Sequence, residues 1–364
     1  MKWQWKLGRY ADIDVYIHAT FVLILAFVAW QHWALGPSRV IEGILFVLAL
    51  FTCVVLHEYG HALTARKFGI RTRDITLYPI GGVARLERMP EKPLQELWVA
   101  LAGPAVNVVI AAVLFLWLLF AQALKPLTEL TVSTGPFLER LLLANLFLAA
   151  FNLIPAFPMD GGRVLRALLA MRLEYTRATS IAAAVGQGLA LLFGLVGLFG
   201  NPMLLFIAFF VWMGASQEAG MVQMKSALAG IPVSRAMLTD FKVLAPSDPL
   251  SRAVELILQG SQQDFPVVTG DGLVGLLTRA DLLEALSREP ETAEVSTAML
   301  REFPVVEAGE MLETLFLRLQ ECQCHTVPVL RGRSLIGLVT SDNIGEFLMV
   351  QAAIQGRNPS LQRA

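Results

Sequence analysis

Residues 46–65 read FVLALFTCVVLHEYGHALTA, an apolar run long enough to cross a bilayer that carries His57, Glu58 and His61 near its end. An ionisable residue inside such a run is costly and marks a working site. On a helix, positions i and i+4 lie on one face. His57 and His61 therefore offer two imidazoles to a single metal ion. Glu58 lies about 100° further round the helix, where it can act on a water at the metal without ligating the ion. The pattern is His-Glu-x-x-His, two zinc ligands and the general base of a metalloprotease. Two core histidines paired with a buried glutamate would give the same pattern, but burying all three idle is expensive. Zinc needs a third protein ligand and an open fourth position.

The surroundings agree with a membrane setting. The chain has 364 residues, of which 55% are hydrophobic and 16% charged, where a soluble chain carries about 25% charged. The mean hydropathy is +0.58. The charge is uneven: residues 17–220 are mostly apolar, and residues 225–364 have ordinary globular composition. The net charge of −1 is uninformative about a nucleic-acid partner, and no basic cluster suggests one, so none is expected. Three cysteines, Cys53, Cys322 and Cys324, speak against a disulfide framework. No secretory h-region or cleavage site precedes the first apolar run.

Six spans are expected, over residues 19–33, 41–65, 97–120, 138–158, 181–199 and 203–213, the last extending towards Gly220. Residues 3–17 are read as a short strand before the first span. Between the second and third spans, Asp74–Tyr78 and Val83–Glu87 are read as strands joined through Pro79, Ile80, Gly81 and Gly82. Lys2, Lys6, Arg9, the groups from Arg66 to Arg88 and from Arg163 to Arg177, and Lys225 fall on one side. Only Arg39 and Lys125 lie in loops of the other. The positive-inside rule makes the first side, with both termini, cytoplasmic. The histidines and Asp160 come to that same side. Asp160 is the expected third ligand: it follows Pro155 and Pro158, which break the helix, and precedes Gly161-Gly162, which let the chain turn tightly. An N-cap role for Asp160, before a helix starting near Arg163, is the plainer alternative.

These motifs together resemble the site-2 proteases, the intramembrane zinc metalloproteases. The resemblance rests on His57-Glu58-Tyr59-Gly60-His61, Gly81-Gly82-Val83-Ala84, Gly103-Pro104-Ala105-Val106-Asn107 and Asn152 through Asp160-Gly161-Gly162-Arg163, in order. It implies one zinc held by His57, His61 and Asp160, with Glu58 catalytic. It implies Asn152 near the scissile carbonyl and Asn107 as a buried hydrogen-bonding residue; helix–helix contact would explain Asn107 as well. Members with a PDZ domain insert it between these motifs, and this chain has no room for one. The hairpin residues Gly81, Gly82 and Val83 are expected to bind an unwound substrate as an added strand. That substrate would be a transmembrane helix of another protein, and membrane lipid the surrounding partner.

The C-terminal part is an internal repeat with a constant offset: Val233-Ser234 through Met237 recurs as Val295-Ser296 through Met299, and Gly275 through Thr278 as Gly337 through Thr340. Each copy reads strand, helix, strand, strand, helix. The repeat resembles a pair of CBS modules, a likeness that implies an adenosine nucleotide (ATP or AMP) bound between copies, or a dimerising role through which two chains pair. The family's Thr-x-x-Asp ribose pattern is intact at Thr278 and Asp281. Thr340 holds the matching position in the second copy, but Asn343 stands at the acidic place, which weakens the case for a second nucleotide site. The expected fold class is a polytopic α-helical membrane protein with a small membrane-associated β-hairpin or sheet, followed by an α/β tandem CBS domain. The expected domains are 1–220 for the protease, 221–230 as linker, 231–350 for the CBS pair (231–290 and 293–350) and 351–364 as tail. Cys322, Cys324 and His325 are read as packing residues at a turn, and Trp3, Trp5, Trp30 and Trp33 as interfacial. Two competing functions remain at this point: a zinc transporter, and a CBS-gated channel or exporter.

Overall fold

The computed structural model describes residues 3–79, 81–87, 89–90, 92–122, 135–270, 272–322 and 324–357. Lys2, Ile80, Arg88 and Lys125 lie outside them. The chain divides into two compact units, Met1–Val222 and Gln223–Ala364.

The first unit opens with two strands where one was expected, β1 (Gln4–Tyr10) and β2 (Ile13–His18). Ala11 and Asp12 both have positive φ, which gives the tight two-residue reversal that matches strand twist. Helix α1 (Phe21–His32) follows, then α2 (Pro37–Lys67), β3 (Thr72–Tyr78), β4 (Gly81–Leu86) and α3 (Pro93–Phe120). The order β1-β2-β3-β4 makes one sheet, with β2 and β3 parallel and the outer pairs antiparallel. β4 is thus an edge strand. Gly81 and Gly82 stand inside it, not in the turn as expected. The sheet is fixed to α2 by Ile13, Ile75 and Ala62, and through Leu77, Phe51, Val47 and Phe21 to α1.

Helix α4 (Phe137–Asn152) stops before Pro155, and an irregular segment leads to α5 (Asp160–Ala170), α6 (Tyr175–Phe199) and α7 (Met203–Leu228). Gly161 and Gly162 are helical and make no turn. A Cβ on Gly161 would collide with the Ile154 carbonyl oxygen, and one on Gly162 would lie 2.6 Å from the Phe157 nitrogen. These glycines let α5 lie directly against the broken segment. Among the described residues α2, α3, α6 and α7 are long and apolar enough to cross a membrane. α1 and α4, expected as spans, have 12 and 16 residues. Arg166, expected among the loop charges, is fully buried on α5.

The second unit contains α8 (Leu250–Gln259), β5 (Phe265–Thr269), β6 (Gly272–Leu277), α9 (Arg279–Leu286), α10 (Val295–Ala298), β7 (Val306–Glu307), α11 (Leu312–Cys322), β8 (Thr326–Arg331), β9 (Ser334–Thr340) and α12 (Ser341–Arg357). The expected first strand of the leading copy is reduced to one bridge, Leu244 to Val267. The copies exchange their leading segments. Val233 joins the core built on β8, β9 and α11, and Val295 joins the core built on β5, β6 and α8. The backbone repeats this reciprocity: Ser234 N–H donates to Ala308 O, and Ser296 N–H to Pro246 O. Each copy's core is therefore completed by a segment of the other. Where α11 ends the Cys322 and Cys324 sulfurs lie against each other, with Cα atoms 5.1 Å apart, and Cys324 packs against the core built on β8, β9 and α11, as expected.

Candidate active site

Three side-chain atoms converge in the first unit. His57 Nε2 and His61 Nε2 are 3.1 Å apart, and each lies 3.2 Å from Asp160 Oδ2. All three residues are buried. Zinc bonds of about 2.0–2.1 Å in tetrahedral geometry require ligand atoms about 3.3–3.4 Å apart. The donor set and spacing therefore fit one zinc ion with an open fourth position. The helical pitch of α2 supplies the two imidazoles. Asp160 arrives from the start of α5. Met159 is the cap residue of that helix and no side chain caps it, so the N-cap alternative for Asp160 falls.

The outer nitrogens fix which way each imidazole points. His61 Nδ1–H donates to the Val99 carbonyl at 2.7 Å. His57 Nδ1–H donates to Asn107 Oδ1 at 2.6 Å. The Asn107 amide nitrogen is engaged with Asn145 Oδ1 at 2.9 Å, and Asn145 in turn donates to the Leu141 carbonyl at 2.8 Å. This chain of bonds leaves Asn107 only its oxygen to offer His57. Both Nε2 lone pairs thus face the metal position, the arrangement that raises ligand basicity and holds ring orientation. Asn107 has the buried hydrogen-bonding place the resemblance implied. Asn145 was missed, although a lone amide after the run Leu141-Leu142-Leu143-Ala144 is a visible signal. Asn145 Nδ2 also donates to Cys53 Sγ at 3.5 Å, and Cys53 is buried in the packing of α2.

A cavity of 420 Å³ opens on this centre. Glu58, Asn152 and Arg163 line it, with Gly81, Gly82, Val83 and Ala84 of β4 along one wall. A Cβ on Gly82 would sit 2.9 Å from Glu58 Cγ, so the edge strand runs directly past the carboxylate. Arg163 faces the same cavity, a place not foreseen for it beyond its part in the charge bias and in the motif around Asp160. On the α3 side, a Cβ on Gly103 would fall 2.6 Å from His57 Nε2 and closer still to His61 Nε2.

The model of Peptidase family M50 matches residues 45–135 and 126–193. A zinc metalloprotease of Methanocaldococcus jannaschii is 34% identical over 278 residues, covering 76% of this chain and 78% of that protein. The chain belongs to peptidase family M50. Rip3 of Mycobacterium tuberculosis, a putative zinc metalloprotease by name, is 28% identical over 373 residues, covering 96% of this chain and 94% of Rip3. The solved site-2 protease of Methanocaldococcus jannaschii is 38% identical, covering 59% of this chain and 95% of that one, with a TM-score of 0.44. As an M50 member the chain is a membrane zinc metalloprotease, and the two transport readings fall. The CBS domain model matches residues 233–288; the second copy follows from the repeat.

In the CBS unit, Thr278 and Asp281 line a cavity of 610 Å³ together with Asp264 and His325. Thr278 caps α9: its hydroxyl accepts from Asp281 N–H at 3.2 Å and donates to the Asp281 carboxylate. Thr340 and Asn343 repeat this cap at 3.1 Å and 2.7 Å. Thr340 is not among the residues lining the 610 Å³ cavity.

Proposed function

We propose that this M50 protease cleaves a peptide bond in or near a transmembrane helix of another protein. The observation that carries the proposal is the meeting of three ligand atoms, Glu58 and an edge strand in one cavity. Zinc, when bound by His57, His61 and Asp160, would polarise the scissile carbonyl and activate water. Glu58 takes the proton from that water and returns it to the leaving amine. Asn152 offers its amide to the carbonyl oxygen from the end of α4. A helix shields its own carbonyls, so the substrate must unwind. Among the described residues β4 has an unpaired edge to receive the extended strand, with Gly81 and Gly82 permitting close backbone approach. Glu58→Gln should retain zinc and abolish cleavage, while His57→Ala should lose both. Normal hydrolysis by the Gln variant would remove Glu58 from the mechanism.

The proposal includes six spans, cytoplasmic termini and a cytoplasmic CBS pair, supported by the bias of basic residues. Labelling, from outside the cell, of a cysteine introduced at Thr340 would overturn that orientation. It also includes control by an adenosine nucleotide in the cavity lined by Thr278 and Asp281, where Asp281 can turn from its cap to the ribose hydroxyls. Binding regulates only if the nucleotide prefers one arrangement of the protease over another. A preference of about 1.4 kcal/mol shifts the population ratio about tenfold. Identical cleavage with and without nucleotide, at low and saturating substrate, would leave the CBS pair a dimerising or docking module.

A further inference from the structure

The first unit buries a second polar cluster outside the metal centre. Arg166, in the middle of α5, has no exposed surface, and Glu96, in the first turn of α3, is 1% exposed. Arg166 Nε donates to Glu96 Oε1 at 2.7 Å, and Nη2 lies 2.5 Å from the same oxygen. Nη1 donates to Glu218 Oε1 of α7 at 2.5 Å. The guanidinium also lies over the rings of Phe157 and Tyr175, 5.1 Å and 5.0 Å from their centres. One side chain therefore ties α5 to α3, to α7, to the broken segment before α5 and to the first residue of α6.

A buried ion cluster is weak evidence for stability, because well-packed apolar residues often do as well. Its use has to be sought in geometry. α5 has only 11 residues and begins with Asp160. A short helix moves as a body, so any shift of α5 carries the carboxylate with it. Metal ligand distances tolerate only about 0.2 Å. The guanidinium fork suits such a task, since it fixes direction as well as charge. Its two carboxylates are unequal. Glu96 is sealed, whereas the Glu218 side chain is 32% exposed and stands on α7 shortly before the unit ends at Val222.

We propose that Arg166 is a positioning residue of the metal centre: its ion pairs with Glu96 and Glu218 set α5, and through α5 the Asp160 carboxylate, and Glu218 makes that setting depend on α7. The inference rests on reading His57, His61 and Asp160 as the metal site. It is independent of substrate and nucleotide.

The test uses purified full-length protein and two readouts that need no turnover. Zinc affinity is measured by competition with a chelator, and the visible spectrum of the cobalt(II)-loaded protein reports ligand geometry. Arg166→Lys keeps the charge and loses the fork. It should weaken zinc binding by about tenfold or more and alter the cobalt spectrum, with the thermal midpoint of the metal-free protein close to wild type. Glu218→Gln keeps the shape and removes one charge, and should give a smaller loss of the same kind. Leu168→Ala, on the exposed side of α5, should change neither readout. A folded Arg166→Lys protein with wild-type affinity and spectrum overturns the proposal. If that variant does not fold, wild-type values for Glu218→Gln overturn it instead. Loss in Arg166→Lys with none in Glu218→Gln supports the positioning role and refutes the dependence on α7. His57→Ala binding zinc like wild type would sink the metal-site reading itself, a separate failure.

Discussion

Replacing Gly103 by alanine adds one methyl group to α3, and the structure places it 2.6 Å from His57 Nε2 and closer still to His61 Nε2. Ordinary contact begins near 3.4 Å, so His57 Nε2 must retreat by about 0.8 Å, and His61 Nε2 by more, before repulsion ends. Neither ring can do so cheaply, because Val99 and Asn107 hold the outer nitrogens. A retreat of that size is several times the tolerance of about 0.2 Å for a metal ligand. Losing a partner outside the ligand shell typically costs about 10–100-fold in metal affinity. Direct displacement of two ligands should cost at least about 100-fold, or about 2.8 kcal/mol. Helix propensity acts in the opposite sense, since alanine is favoured over glycine by about 1 kcal/mol inside a helix. With zinc removed the rings can turn towards the cavity only by giving up these two bonds, a cost that the gain in helix propensity partly offsets, so metal-free Gly103→Ala should unfold only slightly earlier than wild type. The assay is chelator competition for zinc, beside thermal unfolding of the metal-free proteins. Wild-type zinc affinity in Gly103→Ala would refute this geometry. A large fall in metal-free stability would mean that the methyl group disrupts helix packing instead.

Asn107→Leu should lower zinc affinity about 10–100-fold, because it removes the acceptor of His57 Nδ1–H and leaves Asn145 without its donor. Chelator competition measures this, and an unchanged affinity would show that His57 needs no such partner. Gly82→Val should impair cleavage while zinc stays bound, since its Cβ meets Glu58 Cγ at 2.9 Å and Val54 Cγ1 at 3.0 Å. Full cleavage by this variant would count against β4 as the substrate strand. Asp281→Ala should weaken ATP or AMP binding to the full-length protein more than Asn343→Ala does, by calorimetry. Equal effects would leave the cavity beside Thr278 without a claim on the nucleotide.

The convergence of His57, His61 and Asp160 was legible because its signals are chemical. Charged or imidazole side chains in an apolar run are rarely idle, and the i, i+4 spacing turns two of them into one site. The breaks were legible for a related reason, since Pro155 and Pro158 cannot continue a helix. What could not be read depends on distant pairing. Residues 3–17 alternate too weakly to show two strands, and nothing local says that Asp14 on β2 pairs in parallel with Asp74 on β3. Arg166 looked like one more loop charge because burial is invisible until Glu96 and Glu218, far away in the chain, come to meet it.

The motif His-Glu-x-x-His leaves two positions free by chemistry, yet packing constrains one of them. Gly60 is the second free position. A Cβ there would lie 2.7 Å from the Ala102 carbonyl oxygen, a backbone atom that cannot move alone. The neighbouring residue on α3 is Gly103, whose own missing Cβ leaves room for the two ligand nitrogens. α2 and α3 therefore come into close contact beside His57 and His61, each contributing a glycine. Small residues allow such contact between helices in a membrane. The same approach brings the Val99 carbonyl within reach of His61, and Asn107 within reach of His57. Pro104, next to Gly103, withdraws an N–H from this turn of α3, a loss that buried helices tolerate where neighbouring groups satisfy the backbone. Helix packing and the placing of His57 and His61 are thus one constraint here. A substitution that spreads α2 from α3 would act on the ligands even if it touched none of them.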